Sequence, residues 1–245
     1  MKLKSISTRA PKNISKENTK TKTNELKEEI STLQNLMYAE NKYSLLIVLQ
    51  GMDASGKDGA IKNVFGSVNP QGCRVISFKK PTELEMKHDF LWRIHNEVPD
   101  KGMIVIFNRS HYEDVLIQRV HKWVEEPVIQ KRFIQINNFE RLMAESNTII
   151  LKFFLYVSKK EQLERLNERM KDPAKMWKYN ANDINERKFW NQYMTAYEDV
   201  LSKCNETPWN VIPSDQNWYK EYLIADIVVK ALKKLKMKFP EMKSS

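Results

Sequence analysis

The stretch Leu45–Phe65, LLIVLQGMDASGKDGAIKNVF, constrains the fold of this 245-residue chain more than any other segment. An apolar run of strand length ends at Gly51, Gly56-Lys57 follows, and apolar residues return at Ile61, Val64, Phe65 and Val68. That return spacing, i, i+3, i+4, i+7, is one face of a helix. Strand, glycine-bounded turn and helix start form the setting of a phosphate-binding loop. In such a loop backbone N–H groups and the positive end of the helix dipole surround an oxyanion, and Lys57 adds a mobile full charge. Gly51, Ala54, Ser55, Gly56, Lys57 and Asp58 are the expected phosphate-binding residues. Two aspartates break the usual pattern: Asp53 inside the loop, and Asp58 where Ser or Thr ordinarily follows the lysine. A carboxylate beside a phosphate repels it unless a cation lies between them. Both are therefore candidate metal ligands, and an oxygen-rich acidic site suits Mg2+, with Mn2+ as the alternative ion. The competing readings are a helix-dipole carboxylate for Asp58 and a turn former for Asp53.

The remaining apolar pattern alternates strand-length and helix-length runs. Strands are expected at Tyr43–Gln50, Arg74–Phe78, Met103–Phe107, Thr148–Val157 and Trp209–Ile212. Helices are expected over Asn24–Glu40, over Thr82–Glu97 with Thr82 and Glu85 forming a capping box, from Pro127 to about Ser146, after the cap Ser158, over Ile184–Cys204 and over Trp218–Lys236. Five β runs separated by helices give an α/β fold, a parallel sheet with helices on both faces. Ligands of such sheets bind beyond the carboxyl ends of the strands, where the Gly51 loop, the Asn108 segment and the Ser158 and Pro213 turns all fall. One domain spanning residues 24–245 follows, preceded by a basic, flexible segment over residues 1–23.

The formal net charge of +10 leaves three partner classes open: nucleic acid, an anionic surface or a polyanionic substrate. Much of the excess lies at the ends, with eight Lys/Arg against four Glu in residues 1–30 and six Lys against one Glu in residues 230–245. Solvated basic tails are the plain alternative for both. No apolar run approaches the ~20 residues of a membrane span, and no apolar signal-peptide core is present, so no membrane partner and a cytoplasmic setting are expected. Cys73 and Cys204 match no ligand spacing and read as thiols in a reducing compartment.

Two further constellations carry chemistry. In IVIFNRSHYEDV (residues 104–115) the strand ends on Asn108, where a metal-binding carboxylate would otherwise stand, and Arg109 follows. Arg109 next to a phosphate site can clamp oxygens bidentately and offset charge in the transition state; its alternative is a structural ion pair. Glu113 and Asp114, a turn further on, hold a metal, orient an acceptor or begin a helix. His111 reads as structural or stacking rather than as a base. In the stretch Lys159–Lys188, Leu163, Leu166 and Met170 form an expected core-facing stripe that turns Arg165 and Arg169 elsewhere, and Lys171, Lys175, Trp177, Lys178, Asp183 and Arg187-Lys188 follow. A cationic helix end, an irregular segment and a second helix read as a lid over residues 165–188 closing on an anionic substrate, or else as solvated faces.

The set GMDASGKDGAIK, FNRSHYEDVL, MKDPAKMWKYNANDINER and TPWNVIPSDQNWY, ending in LKKLKMKFP, resembles the polyphosphate kinase 2 family over about residues 26–240. The NRSHYEDV form, in place of an aspartate followed by RSWYN, resembles its class III branch, whose members phosphorylate both AMP and ADP from inorganic polyphosphate. The resemblance implies a P-loop kinase-like three-layer fold with a helical lid, and homo-oligomerisation. It implies catalytic roles for Asp53, Lys57 and Arg109, with Asp53 positioning magnesium and the acceptor phosphate. It also implies that Asn108, Glu113, Asp114, Trp177 and Asp183 serve the nucleotide acceptor, Glu113 at the position tied to AMP. Arg169, Lys171, Lys175 and Lys178 fall on the family's lid motif and would bind phosphate. The expected partners are inorganic polyphosphate and adenine, with guanine as a further acceptor base.

Two rival functions remain at this point. An ATP-dependent nucleoside monophosphate kinase shares the loop, but the missing Ser/Thr after Lys57 and the presence of Asp53 argue against it. A nucleic-acid-binding ATPase rests on charge alone, with no RNA- or DNA-reading motif behind it.

Overall fold

The computed structural model describes residues 2–241. Five strands, β1 (Ser44–Gln50), β2 (Cys73–Ser77), β3 (Ile104–Asn108), β4 (Thr148–Tyr156) and β5 (Trp209–Pro213), form one sheet in the order β2-β3-β1-β4-β5. Every pairing is parallel, with Leu45 opposite Ile104 on one side and Ile149 on the other. The central strand β1 is buried along its whole length, which is why Leu45–Leu49 is continuously apolar rather than alternating. Its side chains still divide by the period of two. Leu46 and Val48 join one core with Phe107, Phe154, Phe133 and Tyr197, whereas Leu45, Ile47 and Leu49 join a second with Val64, Phe153, Ile224 and Val228.

The helices are α1 (Lys16–Glu40), α2 (Lys57–Phe65), α3 (Trp92–His95), α4 (Ile117–Val120), α5 (Glu126–Glu145), α6 (Lys159–Lys171), α7 (Ala181–Glu186), α8 (Trp190–Lys203) and α9 (Asn217–Lys234). The first core packs α5 and α8 on one face of the sheet; the second packs α1, α2 and α9 on the other. The result is the expected three-layer α/β arrangement. No described helix is long and apolar enough to cross a membrane.

Several boundaries differ from the sequence reading, each for a physical reason. Helix begins before residue 24: α1 starts at Lys16, capped by the Ser15 hydroxyl accepting from Asn18 N–H. Its first buried positions are Thr19 and Thr23, so no apolar stripe marks this end of the helix. Further upstream Leu3 is fully buried, Thr8 Oγ1 donates to Asp215 Oδ2 (2.8 Å) and Ala10 N–H donates to Gln216 Oε1 (2.8 Å). The Thr82–Glu85 capping box forms, with bonds of 2.7 and 3.2 Å, yet it starts only a 3-10 turn over Glu85–Lys87. His88 is extended and the Asp89 carboxylate accepts from Leu91 N–H, so helix resumes only as α3. The helix expected over Ile184–Cys204 is interrupted by a 3-10 turn at Arg187–Phe189, and Asp172–Asp183 holds another at Met176–Lys178. At the C-terminus Met237 packs into the second core and Lys238 N–H donates to Glu40 Oε1 (3.2 Å); the basic tail beyond Glu241 lies outside the described residues.

Candidate active site

At the carboxyl ends of β1 and β3 the chain turns with unusual backbone. Ala54 (φ 60°) and Arg109 (φ 64°) are left-handed without being glycine, and Gly56 (φ 96°) ends the loop at the N-cap of α2. Strained residues persist where surrounding contacts over-determine them, and they concentrate at functional sites. The contacts here are visible. Each carbonyl from Gly51 to Gly56 accepts a side-chain hydrogen bond. Lys57 Nζ donates to Gly51 and Met52 (2.8 and 3.3 Å), Gln162 Nε2 to Asp53 (3.0 Å), Arg165 Nη1 to Ala54 and Ser55 (3.1 Å each), and Lys220 Nζ to Gly56 (3.1 Å). With its carbonyls held from α2, α6 and α9, the loop leaves the first N–H groups of α2 without intrahelical acceptors, a ready anion site. A side chain at Gly51 would meet the Leu155 carbonyl at 2.8 Å, so the loop crosses β4 too closely for any residue with a Cβ.

Above this loop lies a cleft of about 790 Å3. Most of the expected site residues line it together: Asp53, Ala54, Ser55, Gly56, Lys57 and Asp58 from the loop, Asn108 and Arg109 from the end of β3, and Arg169, Lys175, Trp177, Lys178 and Asp183 from α6 and the segment after it. Eight cationic side chains face five carboxylates there. The segment expected to form a lid reaches the loop and its own helix: Lys178 Nζ lies 3.0 Å from Asp58 Oδ2 and Arg169 Nη1 lies 3.1 Å from Asp183 Oδ2. Trp177, 77 % exposed, is free to cover a ligand face.

Charges in the cleft are strongly coupled. Burial and the neighbouring Arg109 charge lower the Lys57 ammonium to about 8, against the pull of Asp53, Glu113 and Asp58. Burial also disfavours the Arg109 charge, but Glu113 and Asp53 more than offset it and hold the guanidinium above its ordinary range. Arg109 is paired with Asp53 and stands 3.5 Å from Glu113 Oε2. Burial would raise Asp58; hydrogen bonds from Lys178 and Asn108 Nδ2 (2.9 Å) hold it below the usual carboxylate range. Asp183 is pushed up to about 6 by burial and by Asp53, in spite of Arg169.

Other expected site residues fall elsewhere. Gly51 shapes the loop from below the cleft. Asp114 is buried away from the cleft, 3.8 Å from both Arg93 and Arg132, because the 3-10 turn His111–Val115 rotates it inward; burial raises its carboxyl to about 6. Glu113 does not line the cleft but stands behind Arg109, and Gln50 Nε2, with its amide oriented to satisfy both neighbours, donates to Glu113 Oε1 at 3.0 Å. Lys171 lies on the outer side of α6 with Glu164 and Asp172. In the expected apolar stripe of α6 only Leu166 is buried, while Leu163 and Met170 are each 39 % exposed, since the inward face of this helix covers a polar cleft. His111 is buried and held neutral by burial, as a structural residue. Burial raises the Cys73 and Cys204 thiols to about 11 and about 12, so neither is poised to react.

Sequence reasoning missed Lys220 as a site residue. It is buried under the loop, bonded to Asn217 Oδ1 (2.8 Å), and burial, with the Arg165 charge, lowers it to about 8. The available signal was its place on the Ile224–Val228 apolar stripe, where a lysine needs a reason. Arg165, noted only as turned away from the core, is the second.

For a divalent metal, Asp53 and Asp58 offer hard oxygens to the cleft, and no cluster of three or more His, Cys, Asp or Glu occurs among the described residues. That donor set fits Mg2+, which takes one or two carboxylates and completes its shell with water and phosphate oxygens.

Comparison with known proteins agrees with this geometry. The profile of Polyphosphate kinase 2 (PPK2) matches residues 13–240. An AMP/ADP-polyphosphate phosphotransferase of Meiothermus ruber is 49 % identical over 218 residues, covering 88 % of this chain and 82 % of that protein. An ADP-polyphosphate phosphotransferase of Rhodopseudomonas palustris is 41 % identical over 228 residues, covering 87 % and 79 %. The crystal structure of polyphosphate kinase 2 from Arthrobacter aurescens superposes with a TM-score of 0.97 at 36 % identity, covering all of this chain and 89 % of that one. The loop, the arginine after β3 and the lid therefore sit on a P-loop kinase scaffold, and the chain belongs to the polyphosphate kinase 2 family.

Proposed function

We propose that the protein transfers the terminal phosphoryl group of inorganic polyphosphate to AMP and to ADP. The observation that carries this reading is a cationic cleft over a phosphate loop whose own carboxylates, Asp53 and Asp58, replace the usual hydroxyl. The acceptor phosphate is ionised at neutral pH, so the reaction needs no strong base. The barrier is repulsion between two polyanions, which positioning and positive charge overcome. Lys57 and the α2 N–H groups hold the donor end, Arg109 spans donor and acceptor phosphates, and Glu113 fixes the Arg109 rotamer from behind. Lys175, Lys178 and Arg169 bring charge from the lid, and Trp177 and Asp183 form the acceptor side. Asp53 and Asp58 would hold Mg2+, which supplies charge neutralisation between the phosphates when bound. Unpaired, high-pKa thiols accord with a cytoplasmic setting.

The experiment is donor–acceptor profiling with purified protein, Mg2+ or Mn2+, and AMP, ADP or GDP. ADP and ATP should form from long-chain polyphosphate. Formation of ADP from AMP with ATP as donor, and none with polyphosphate, overturns the reading in favour of a nucleoside monophosphate kinase.

A further inference from the structure

A second concavity, about 530 Å3, lies between the first turns of α1 and the start of α9. Lys16, Lys20 and Lys27 line it. At 100° per residue the three fall within about 40° of one another, a single stripe roughly 16 Å long. None of them enters an ion pair among the described residues. Five of the eight cleft cations differ: Arg109, Arg165, Arg169, Lys175 and Lys178 all have carboxylate partners. The one carboxylate in the second concavity, Glu221, accepts from Asn63 Nδ2 at 2.7 Å. This surface therefore holds positive charge that no ion pair among the described residues neutralises.

The two concavities share one lining residue. Asn217 lines both, and its Oδ1 accepts from Lys220 under the phosphate loop. The lysine stripe is also held in place. The chain before α1 is tied to Asp215 and Gln216, in the turn between β5 and α9 that leads into Asn217, the first residue of α9. The placement of α1 thus sets a row of ammonium groups without ion-pair partners beside the start of α9, next to the cleft.

We propose that this concavity binds the trailing part of the polyphosphate chain, which leaves the cleft past Asn217 and runs along the Lys16–Lys20–Lys27 stripe. The inference rests on the proposed polyphosphate reading and adds a residue-level basis for preferring long donors over short ones. The site recognises an unbranched inorganic polyanion by charge and spacing alone.

The test compares the wild type, a Lys16→Gln/Lys20→Gln/Lys27→Gln variant and the corresponding triple Lys→Arg variant. Equilibrium binding of long-chain polyphosphate and of tripolyphosphate is measured without acceptor across a salt series, and steady-state KM and kcat are measured for each donor. In the Gln variant long-chain binding should weaken about tenfold at low salt, and the log–log salt slope should become shallower by roughly 2, the release expected from three lost charges. Tripolyphosphate binding, kcat and Tm should stay unchanged, and the Arg variant should retain long-chain affinity. An unchanged ratio of long-chain to tripolyphosphate affinity overturns the proposal, as does equal competition by single-stranded DNA of matched charge. Because binding is read without turnover, a protein that binds long chains through these lysines yet transfers nothing would sink the proposed activity and leave this inference standing.

Discussion

Beneath the segment that carries Arg109 lies a buried ionic cluster whose removal gives a sharp stability prediction. Lys152 Nζ stands 2.7 Å from Glu140 Oε2, 2.8 Å from the Tyr112 hydroxyl and 2.9 Å from the Cys204 carbonyl; Tyr112 OH donates to Glu140 Oε1 at 2.5 Å. Both charged side chains are at most 1 % exposed. Glu140→Leu removes the counter-charge and leaves a buried ammonium with only neutral partners, which costs about 3–5 kcal/mol. With roughly 2.1 cal/mol/K of unfolding entropy per residue, a chain of this length loses about 2 °C per kcal/mol, so Tm should fall by about 6–10 °C. Adding Lys152→Met removes the orphaned charge, and the double variant should return to within about 2 kcal/mol of wild type. Burial already lowers the Lys152 pKa, and loss of Glu140 lowers it further. The folded single variant therefore sheds that proton at lower pH than its unfolded chain does, and its deficit should shrink as pH rises towards the ordinary lysine range. Calorimetry on the four proteins of the cycle, repeated at rising pH, measures all of this. If the double variant is as unstable as the sum of the singles, or the single deficit is flat with pH, the buried-charge reasoning is wrong.

Lys57, lowered to about 8, should be charged below that pH and neutral above it. The kcat/KM for polyphosphate, which reports the free enzyme, should fall as pH rises through about 8, whereas kcat, measured with phosphate bound beside the ammonium, should hold to higher pH; coincident profiles would count against it. Arg165→Leu frees the Ala54 and Ser55 carbonyls to water at the cleft edge. Its kcat/KM should drop about tenfold, equivalent to roughly 1.4 kcal/mol of transition-state binding, with only a small change in Tm; a collapse of Tm with normal activity in the folded fraction would make its role merely structural.

The sheet was readable from sequence because both faces of β1 and β4 are buried, so their apolar runs owe little to context. The loop was readable because glycine, lysine and the helical return of Ile61, Val64 and Phe65 sit next to one another in the chain. What escaped depends on partners distant in sequence. The start of α1 hid behind Thr19 and Thr23, polar residues on a buried face. The break after Lys87 came from the Asp89 turn outcompeting a sound capping box. Asp58 was readable as a metal ligand or a dipole carboxylate, but its hold on Lys178, 120 residues away, was not. Asp114 and Lys171 sat inside promising motifs, and only the rotation of a 3-10 turn and of α6 takes them out of the cleft.

The Arg109–Asp53 and Lys178–Asp58 pairs have one more consequence. Two of the cations that a substrate phosphate would use, Arg109 and Lys178, are already held by carboxylates that a metal would use. At these two pairs, entry of ligands would be a change of partners rather than a gain of partners: phosphate would take the arginine and lysine as the metal took the aspartates, and the count of ion pairs would be conserved. A polyanion arriving alone strands two carboxylates, and a metal arriving alone strands two cations. The two would therefore be linked, each raising the affinity for the other by the same factor. Such an exchange can couple donor and metal closely without holding either tightly, which suits a cleft that must also let its products go.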